Sequence, residues 1–396
     1  MLLGQRQKLK LTSRLQQRIV PDAGGHYRVA VKRLKTFVRG FDELVQAEIK
    51  AIKLARNLET EHLIKALAYC RQGKEHFILF PWATKGDLEA FWTKTDPQNS
   101  DAFTTWIVTQ LAGMAGAIEE LHKDKDTTGE HCRHGDIKPG NILCFEGDAG
   151  LPARFVIADV GLARIHQRAT EDRHHTVPPS STIKYEAPEV KLAPLNAPRS
   201  RLMDIWSLGC VFLELVVWML YGHDELKRLR GDLWGSTPFY QEIDLVGGGK
   251  TAQVHPAVQH WIRYMKGGPL SNTKFALRML LDLIETRLLV VPVKTARAMT
   301  FTSIASTIEE DGGVGNGIPK IVLERKGTDL QQVPLSGYRA DAEEMTAKLK
   351  EIVEALKQGR IHPVGAIDSE KANQLTAPPN YDGGLHPNDG LENQVR

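Results

Sequence analysis

The sequence predicts an α+β fold with two lobes, a small strand-rich N-terminal lobe and a larger helical C-terminal lobe. Apolar and polar residues alternate over residues 27–38, and the run is rich in β-branched side chains, which is typical of a strand. From about residue 201 to 306, apolar residues recur instead at helical spacing. With 396 residues, 42% of them hydrophobic, the chain is long enough for two or three packed units of ~150 residues.

The small lobe is predicted to contain a helix and two further strands after the first strand. Residues 41–57 have helical spacing. Residues 63–80 form two short apolar runs around a turn at residues 71–74. Residues 1–25 are polar and weakly patterned, so we expect the lobe to begin with a divergent or incomplete segment.

The large lobe is predicted to be built on long helices. Residues 102–121 place their apolar side chains on one broad helical face, and short strands follow near residues 142–145 and 155–158. The run 205–220 is apolar for 16 residues but contains Glu214 at its centre. Because a membrane-spanning helix needs ~20 apolar residues and a central Glu is costly, we interpret the run as a buried core helix and expect no membrane span.

Charge and cysteine content argue against several classes of function. The chain has 51 basic and 48 acidic residues, and a net charge of +3 is too small to indicate nucleic acid or an anionic membrane as a partner. The four cysteines have no C-x-x-C spacing, which disfavours a zinc site or a disulfide framework. The first 21 residues contain five basic and no acidic residues but few Ser or Thr. Mitochondrial import is therefore disfavoured, and a cytoplasmic or nuclear location is expected.

The C-terminal region is predicted to contain one helix between two flexible segments. Residues 311–317 are rich in glycine. Residues 340–358 carry an apolar stripe, so we expect this amphipathic helix to dock on its own chain or to bind a partner. The alternative is a marginal helix without either contact. Residues 365–396 are rich in Pro, Gly, Asn and Asp and are predicted to form a disordered tail.

The strongest functional signal is the segment 134–141, with the sequence H-G-D-I-K-P-G-N. These residue types on a loop before a strand suit phosphoryl transfer. Asp136 can accept the proton of an attacking hydroxyl, Lys138 can neutralise charge on the moving phosphate, and the amide oxygen of Asn141 can bind a metal ion. The alternative, a polar loop with a capping Asp, is disfavoured by the length of the pattern.

Two further residues fit the same chemistry. Asp159 follows a short strand 23 residues after Asp136, and a carboxylate on such a turn suits Mg²⁺. Without this spacing it would be an ordinary strand-to-turn residue. Lys32 ends an apolar strand and can bridge the α and β phosphates, although an isolated strand Lys is usually only solvated. Its carboxylate partner is predicted to be Glu48, with Glu43 as the less favoured choice.

Taken in chain order, these motifs resemble those of the eukaryotic protein kinase family, Ser/Thr type. V-A-V-K at residues 29–32 resembles V-A-I-K, H-G-D-I-K-P-G-N resembles H-R-D-L-K-P-x-N, D-V-G resembles D-F-G, and A-P-E is the same. The resemblance implies a two-lobed protein-kinase-like fold. Residues 26–306 would form the kinase domain, with the lobes dividing near residue 82, and residues 307–364 would form an extension.

The resemblance also implies ATP and Mg²⁺ as cofactors and a Ser or Thr hydroxyl of a protein as the acceptor. It assigns the role of catalytic base to Asp136. It assigns the metal to Asn141 and Asp159. It places Lys32 on the phosphates, with Glu48 as the ion-pair partner of Lys32.

Further positions follow from the same resemblance. Lys138 followed by Pro139 is the Ser/Thr form of the catalytic loop, and Thr182 matches the Thr that bridges the catalytic Asp and Lys. Phe80 would be the gatekeeper, and the Ala83 backbone would meet adenine. The residues implied to line the nucleotide pocket are Ala30, Phe80, Ala83 and Leu143.

Two structural roles are implied as well. Asp204 would open a core helix and hold the catalytic loop, and Glu189 would pair with a late arginine, which we expect to be Arg297. The sequence F-P-W-A at residues 80–83, with the residues that follow it, resembles kinase domains of filamentous fungi.

Three features depart from the family pattern. No G-x-G-x-x-G precedes Lys32, so the segment that would cover the phosphates is missing, divergent or lost to a wrong start site. Gly135 stands where the family has the Arg that reads the phosphate on the activation loop, which is the pattern of a non-RD kinase. We therefore expect activity to be largely independent of phosphorylation of that loop. Val160 replaces the Phe that packs under the mobile helix of the small lobe.

The predicted function is ATP-dependent transfer of the γ-phosphoryl group to Ser or Thr hydroxyls of proteins. The alternative is a pseudokinase-like binding module with weak or no turnover, which the missing glycine-rich loop favours. Small-molecule kinases of the aminoglycoside and choline type share H-G-D with an Asn five residues later, but they lack A-P-E and D-x-W-S-L-G-C and are disfavoured. The retained Lys, Asp and Asn residues favour an enzyme.

Overall fold

The structure, a computed structural model, consists of a strand-rich N-terminal lobe followed by a helical lobe. The strands and helices occur in the order that the sequence pattern predicts, with strands dominating up to residue 81 and helices beyond it. The structure describes residues 15–22, 25–34, 46, 49–50, 52–53, 55–73, 75–98, 100–123, 132–147, 150–160, 183–192, 200–233, 238–245, 249–291, 337–363 and 377–381.

The small lobe is an antiparallel sheet of four strands in the order β1-β2-β4-β3. The strands are β1 (Leu15–Asp22), β2 (Gly25–Leu34), β3 (Ala68–Gln72) and β4 (Glu75–Pro81). β1 lies in the stretch that the sequence pattern leaves unassigned. It pairs with β2 along its whole length, from Leu15 opposite Lys32 to Asp22 opposite Gly25. Pairing with a neighbouring strand therefore stabilises β1 despite its weak local pattern.

The central strand β2 carries Lys32 into the interior between the lobes. Lys32 lies opposite Ile78 of β4, and the residue is 2% exposed. Val29 and Ala30 of the same strand are buried as well. Burying an ammonium group is costly unless it is paired, so this strand must deliver Lys32 to an anionic partner.

The large lobe is built from seven described helices and two short hairpins. The helices are α1 (Leu88–Lys94), α2 (Asp101–Lys123), α3 (Pro188–Leu192), α4 (Leu202–Asp232), α5 (Pro256–Gly267), α6 (Ala276–Leu283), which continues as a π-helical turn (Ile284–Leu288), and α7 (Ala342–Lys357). The hairpins are formed by β5 (Ile142–Phe145) with β6 (Arg154–Ile157) and by β7 (Tyr240–Asp244) with β8 (Lys250–Val254).

The core of the large lobe is the first half of α4. Every residue from 203 to 218 is buried, including Glu214. Among the described residues, α4 is the one helix that is long and apolar enough to cross a membrane by length and composition, and 89% of its most apolar window is buried inside the protein. Gly222, with φ of 83°, bends the chain and separates this buried half from a more exposed second half.

The amphipathic helix predicted in the C-terminal region is α7, and it docks on the large lobe. Asp341 caps its N-terminus by accepting a hydrogen bond from Glu344 N at 2.9 Å. The apolar side of α7 packs mainly against α2, and Met345 and Leu349 are fully buried there. Arg287 donates two hydrogen bonds of 2.6 Å to the carboxylate of Glu344. Both apolar packing and charge thus attach the helix to its own chain.

A short part of the predicted tail also has a defined position. Residues 377–381 lie against the second half of α4 and against α5. Arg228 donates a hydrogen bond to the carbonyl oxygen of Pro378, and the His260 imidazole lies 3.3 Å from the carbonyl oxygen of Pro379. The remaining residues of the predicted tail lie outside the described part of the chain.

The docking of α7 predicts a large loss of stability when its buried stripe is truncated. Leu349 is fully buried, so Leu349→Ala should lower the free energy of unfolding by ~2–5 kcal/mol in urea denaturation. Lys348→Ala is the matched control, because Lys348 is exposed and pairs with Glu351, which is exposed to the same degree. A change below ~0.5 kcal/mol for both variants would mean that α7 does not pack as described.

His255 predicts how stability depends on pH. This buried residue caps α5, where His255 Nδ1 accepts a hydrogen bond from Ala257 N at 3.1 Å. Burial lowers the pKa of His255 to about 4. The unfolded chain takes up this proton near pH 6.5, so the free energy of unfolding should fall by up to ~3 kcal/mol as the pH falls from 6.5 to 4.

His255→Asn isolates this contribution because Asn still offers an oxygen to the helix cap but does not titrate. Chemical denaturation measured at several pH values should give a flatter profile for the variant than for the wild type between pH 6.5 and 4. Above pH 7 the slopes of the two proteins should agree, because the imidazole is neutral in both the folded and the unfolded state. Identical slopes below pH 6.5 would contradict the assignment.

Candidate active site

Asp136, Lys138 and Asn141 lie together on the loop between α2 and β5. Lys138 Nζ lies 3.0 Å from Oδ1 and 2.8 Å from Oδ2 of Asp136. The Asn141 amide nitrogen donates to Asp136 Oδ2 at 2.9 Å and to the Asp136 carbonyl oxygen at 2.7 Å. The side chains of Asp136 and Lys138 are 13% and 18% exposed. Two neighbours therefore hold the carboxylate in one orientation while it keeps some access to solvent.

A short 3-10 turn brings Asn141 back towards Asp136. The turn spans Pro139–Asn141, and the fixed φ of Pro139 suits its first position. Asn141 N donates to the Lys138 carbonyl oxygen at 2.9 Å. The Asn141 carbonyl oxygen accepts from Ala158 N at 2.8 Å, which links this loop to the end of β6. The hairpin of β5 and β6 thereby places Asn141 beside the residue that precedes Asp159.

Asp159 connects the two lobes through an ion pair. Lys32 Nζ lies 2.7 Å from Asp159 Oδ1, and the two side chains are 3% and 31% exposed. Asp159 has a φ of 69°, the one positive value for a non-glycine residue in the described part of the chain. Such a conformation costs of order 1 kcal/mol or more and persists where the surroundings impose it. The strained backbone directs the carboxylate at Lys32, which fits the prediction that both residues belong to one site.

Asp204, in the first turn of α4, holds the loop that carries Asp136. Asp204 Oδ2 accepts hydrogen bonds from His134 N at 2.7 Å and from His122 Nε2 at 2.8 Å. Asp204 Oδ1 accepts from Gly135 N at 2.7 Å. One buried carboxylate therefore fixes the two residues that immediately precede Asp136.

The charge of Asp204 is stabilised although the side chain is fully buried. Burial alone raises the pKa of Asp204, but the hydrogen bond and charge of His122 and the hydrogen bond from Gly135 outweigh it, so the pKa lies below its usual value. Gly135 has a φ of 77°, a left-handed conformation that favours glycine. The glycine that stands here in place of an arginine thus fits the backbone turn by which its N–H reaches Asp204.

His134 ties the same loop to the strand that ends at Asp159. His134 Nε2 donates to the carbonyl oxygen of Ala158 at 2.8 Å, since a carbonyl can only accept. His134 Nδ1 accepts from Asp136 N at 3.3 Å. One imidazole ring therefore links the backbone of Asp136 to the end of β6.

The residues predicted to line a nucleotide pocket lie at the junction of the lobes. Ala30 of β2 pairs with Phe80 of β4, which places both at the end of the small sheet. The linker that follows runs beside β5, because Cys144 exchanges backbone hydrogen bonds with Lys85 and Gly86. Of the residues predicted to line the pocket, Ala30 and Phe80 therefore lie at the end of the small sheet, Ala83 lies in the linker, and Leu143 lies on the strand beside that linker.

Some predicted site residues lie outside the described part of the chain. They are Glu48, the less favoured Glu43, Thr182 and the activation-loop hydroxyl residues that precede Thr182. The expected pair of Lys32 with Glu48 and the expected bridge by Thr182 therefore stay predictions. Among the described contacts of Lys32 is Asp159.

The partner predicted for Glu189 needs correction. The carboxylate of Glu189 is bound by Arg339, with Nη1 to Oε1 at 2.6 Å and Nη2 to Oε2 at 3.1 Å. The Arg339 side chain is completely buried and also lies over the ring of Trp206, 5.0 Å from its centroid. Arg297, the arginine that the sequence predicts here, lies outside the described part of the chain. The sequence signal for Arg339 is its position two residues before Asp341, which caps α7.

The residues predicted to hold a metal provide the right type of ligand. Both amide hydrogens of Asn141 are used by Asp136, so the amide oxygen is directed away from that carboxylate. Asp159 Oδ1 contacts Lys32, and the side chain is partly exposed. A carboxylate and an amide oxygen suit a hard cation such as Mg²⁺. The donor set of Asn141 and Asp159 therefore fits the predicted ion.

The three hydrogen bonds to Asp204 predict the effect of replacing it. In Asp204→Asn an amide N–H₂ must face one of the backbone or imidazole donors, so we expect a loss of ~2–4 kcal/mol in the free energy of unfolding. Asp224→Asn is the control, because Asp224 lies on the same helix, is 90% exposed and pairs with Lys227. Urea denaturation that shows the same small effect for both variants would contradict the role of Asp204.

Comparison with known proteins adds independent findings. Residues 21–229, more than half of the chain, match the family described as protein kinase domain. A G-type lectin S-receptor-like serine/threonine-protein kinase of Arabidopsis thaliana is 32% identical over 190 residues, which cover 48% of this chain and 21% of that protein. A probable L-type lectin-domain containing receptor kinase of the same plant is 29% identical over 191 residues, 48% of this chain and 27% of that protein.

A third relative comes from another group of organisms. A probable cyclin-dependent kinase 8 of Dictyostelium discoideum is 29% identical over 192 residues, which cover 48% of this chain and 47% of that protein. The aligned region thus spans between about a fifth and about a half of the length of these three relatives.

Proposed function

Because the chain belongs to the protein kinase domain family, we propose that it transfers the γ-phosphoryl group of ATP to Ser or Thr hydroxyls of proteins. The match over residues 21–229 confirms the predicted protein kinase family, without its Ser/Thr type, and the two-lobed fold. The observation that carries the proposal is the Asp136 carboxylate, oriented by Lys138 and Asn141 on a loop bonded to the residue next to Asp159. In this proposal Asp136 supplies the base, and Asn141 and Asp159 supply the two metal ligands.

In this proposal Asp136 accepts the proton of the attacking hydroxyl. Its carboxylate is preorganised by Lys138 and Asn141, so little reorientation is needed when an acceptor arrives. The Lys138 ammonium, 2.8 Å from the carboxylate, can also stabilise negative charge on the transferred phosphoryl group. Thr182 is proposed to join these two residues.

The nucleotide is proposed to bind between the lobes. Lys32 would contact the α and β phosphates with Glu48 as its second carboxylate partner, and Asn141 and Asp159 would hold Mg²⁺. A bound Mg²⁺ neutralises phosphate charge and fixes the phosphate geometry. The adenine pocket is proposed to be lined by Ala30, Phe80, Ala83 and Leu143.

A Ser or Thr hydroxyl is the proposed acceptor for two reasons. Lys138 is followed by Pro139, the form of this loop typical of Ser/Thr kinases. One of the relatives is named a serine/threonine-protein kinase. The resemblance to kinases of filamentous fungi remains a proposal, since the three relatives described come from a plant and from Dictyostelium. The cytoplasmic or nuclear location is likewise a proposal.

A second candidate function is a pseudokinase-like module that binds nucleotide or protein with weak turnover. The specific observation in its favour is the absence of G-x-G-x-x-G from the sequence before Lys32. The described glycine nearest to Lys32 is Gly25, which begins β2 and pairs with Asp22 at the end of β1. The distinction between the two candidates is whether phosphate is transferred.

The proposed roles predict different effects for two substitutions in one cleft. Asp136→Asn removes the acceptor for the hydroxyl proton but keeps the shape, so turnover should fall by at least ~10²-fold while MgATP still raises the melting temperature. Asp159→Ala removes a metal ligand, so stabilisation by MgATP should be lost while the apoprotein stays folded. Thermal shift and transfer of labelled phosphate measure the two effects.

The wild type with a generic Ser/Thr acceptor is the control for both variants. Equal stabilisation of the wild type and Asp159→Ala by MgATP would contradict the metal assignment. Turnover by Asp136→Asn at the rate of the wild type would contradict the base. If the wild type binds MgATP but transfers no phosphate to any acceptor, the pseudokinase-like function is favoured.

A further inference from the structure

Arg230 occupies a junction of three segments of the large lobe. Its Nη1 and Nη2 atoms each lie 2.9 Å from an oxygen of Glu89 on α1. Its Nε and Nη2 atoms lie 2.6 and 3.0 Å from the two oxygens of Glu214 on the buried half of α4. Nη2 also donates to the hydroxyl of Tyr185 at 3.3 Å. The guanidinium lies over the ring of Trp92, 5.5 Å from its centroid.

This arrangement, here called the Arg230 cluster, depends on the charge of the arginine. Glu214 is fully buried, and burial raises its pKa while Arg230 acts in the opposite direction. Tyr185 donates its hydroxyl proton to Glu214 Oε2 at 2.9 Å. Without Arg230 the Glu214 carboxylate would lack its cation in this buried position, and the Tyr185 hydroxyl would bond to a carboxyl group that tends to protonate.

The planar fork of an arginine is needed because two carboxylates are bound in two directions at once. Each carboxylate receives two N–H···O contacts, a geometry that a Lys ammonium cannot reproduce. The cluster also reaches the surface, since the side chains of Arg230 and Glu89 are 18% and 41% exposed. Truncation of Arg230 therefore removes the ion pairs of the Arg230 cluster without opening a large cavity in the core.

Tyr185 belongs to the segment 183–187, which leads directly into α3. The carbonyl oxygen of Tyr185 accepts a hydrogen bond from Ser207 Oγ at 2.7 Å. Ser207 lies one turn after Asp204, the residue that fixes the loop of Asp136. The segment 183–187 is thus attached to α4 twice, by its backbone through Ser207 and by its side chain through the Arg230 cluster.

We propose that Arg230 is a positioning residue that sets the placement of segment 183–187 relative to Asp136, and through it the binding of the acceptor hydroxyl. This inference rests on the proposed phosphoryl transfer. The segment follows Thr182, which the proposed mechanism places beside Asp136, whereas the proposed nucleotide contacts lie at Lys32 and Asp159. Loss of the Arg230 cluster should therefore weaken acceptor binding and leave nucleotide binding unchanged.

Arg228 provides a matched control on the same helix. Its guanidinium also lies over a tryptophan, 4.9 Å from the centroid of the Trp261 ring. Arg228 forms an ion pair with Glu225 and donates to the carbonyl oxygen of Pro378. Its described contacts do not include segment 183–187, so Arg228→Met removes the same kind of side chain and leaves the Arg230 cluster in place.

The experiment compares Arg230→Met, Arg230→Lys and Arg228→Met in the full chain. Hydrogen–deuterium exchange of residues 183–187 is measured first, and we expect it to accelerate at least ~10-fold in Arg230→Met and to stay within ~2-fold of the wild type in Arg228→Met. The KM values for ATP and for an uncharged Ser-containing peptide are measured next. In Arg230→Met the peptide KM should rise at least ~10-fold while the ATP KM changes less than ~2-fold.

Arg230→Lys should behave like Arg230→Met, because a single ammonium group cannot bind both carboxylates. Guanidinium ion added to Arg230→Ala at concentrations far below denaturing ones should restore exchange protection and peptide KM in part. Glu89→Gln is the milder variant in case the arginine variants do not fold. It weakens the contact of Arg230 with residue 89 and keeps the ion pair of Arg230 with Glu214. It should shift both readouts in the same direction by a smaller factor.

The positioning role is overturned if exchange of residues 183–187 is the same in Arg230→Met as in the wild type. Equal rises in the peptide and ATP KM values, or the same changes in Arg228→Met, would also overturn it. If the wild type transfers no phosphate, the proposed function fails. In that case hydrogen–deuterium exchange of residues 183–187 still tests whether Arg230 holds this segment in place.

Discussion

The buried carboxylate of Asp204 is the interaction on which the candidate active site depends. It accepts hydrogen bonds from His122 and from the backbone N–H groups of His134 and Gly135, at distances of 2.7 to 2.8 Å. Its place in the first turn of α4 adds the favourable field of a helix N-terminus. Because a buried carboxylate is costly unless all its partners are present, the loop of Asp136 is held in one conformation.

The same helix also holds the segment that leads into α3. Ser207 holds the backbone of Tyr185, and Glu214 holds its hydroxyl through the Arg230 cluster. Trp206 lies under Arg339, which binds the Glu189 carboxylate at the start of α3. Successive turns of α4 thus hold the loop of Asp136 and the segment that follows Thr182. Because both are bound to one helix, their positions relative to each other are fixed.

Sequence patterns identified what is local and missed what is assembled over distance. The segment 134–141 is recognisable because its polar residues stand close together in the sequence and each suits a step of phosphoryl transfer. Arg339 and Arg230 were missed because an ion pair between distant residues leaves no local pattern in one sequence. The amphipathic stripe of α7 predicted a helix, but its docking on α2 follows from tertiary packing. The residues of β1 carry no clear strand pattern, because pairing with β2 rather than local sequence stabilises this strand.

The hold of Asp204 on the loop of Asp136 can be measured directly on the wild-type protein. The amide protons of His134 and Gly135 lie on a loop, yet both are donated to the buried carboxylate of Asp204. Native-state hydrogen exchange should therefore find them protected to the same degree as the buried amides of α4, exchanging through global unfolding. Exchange of either proton at a rate typical of an exposed loop would contradict the claim that α4 holds the loop of Asp136 through this carboxylate.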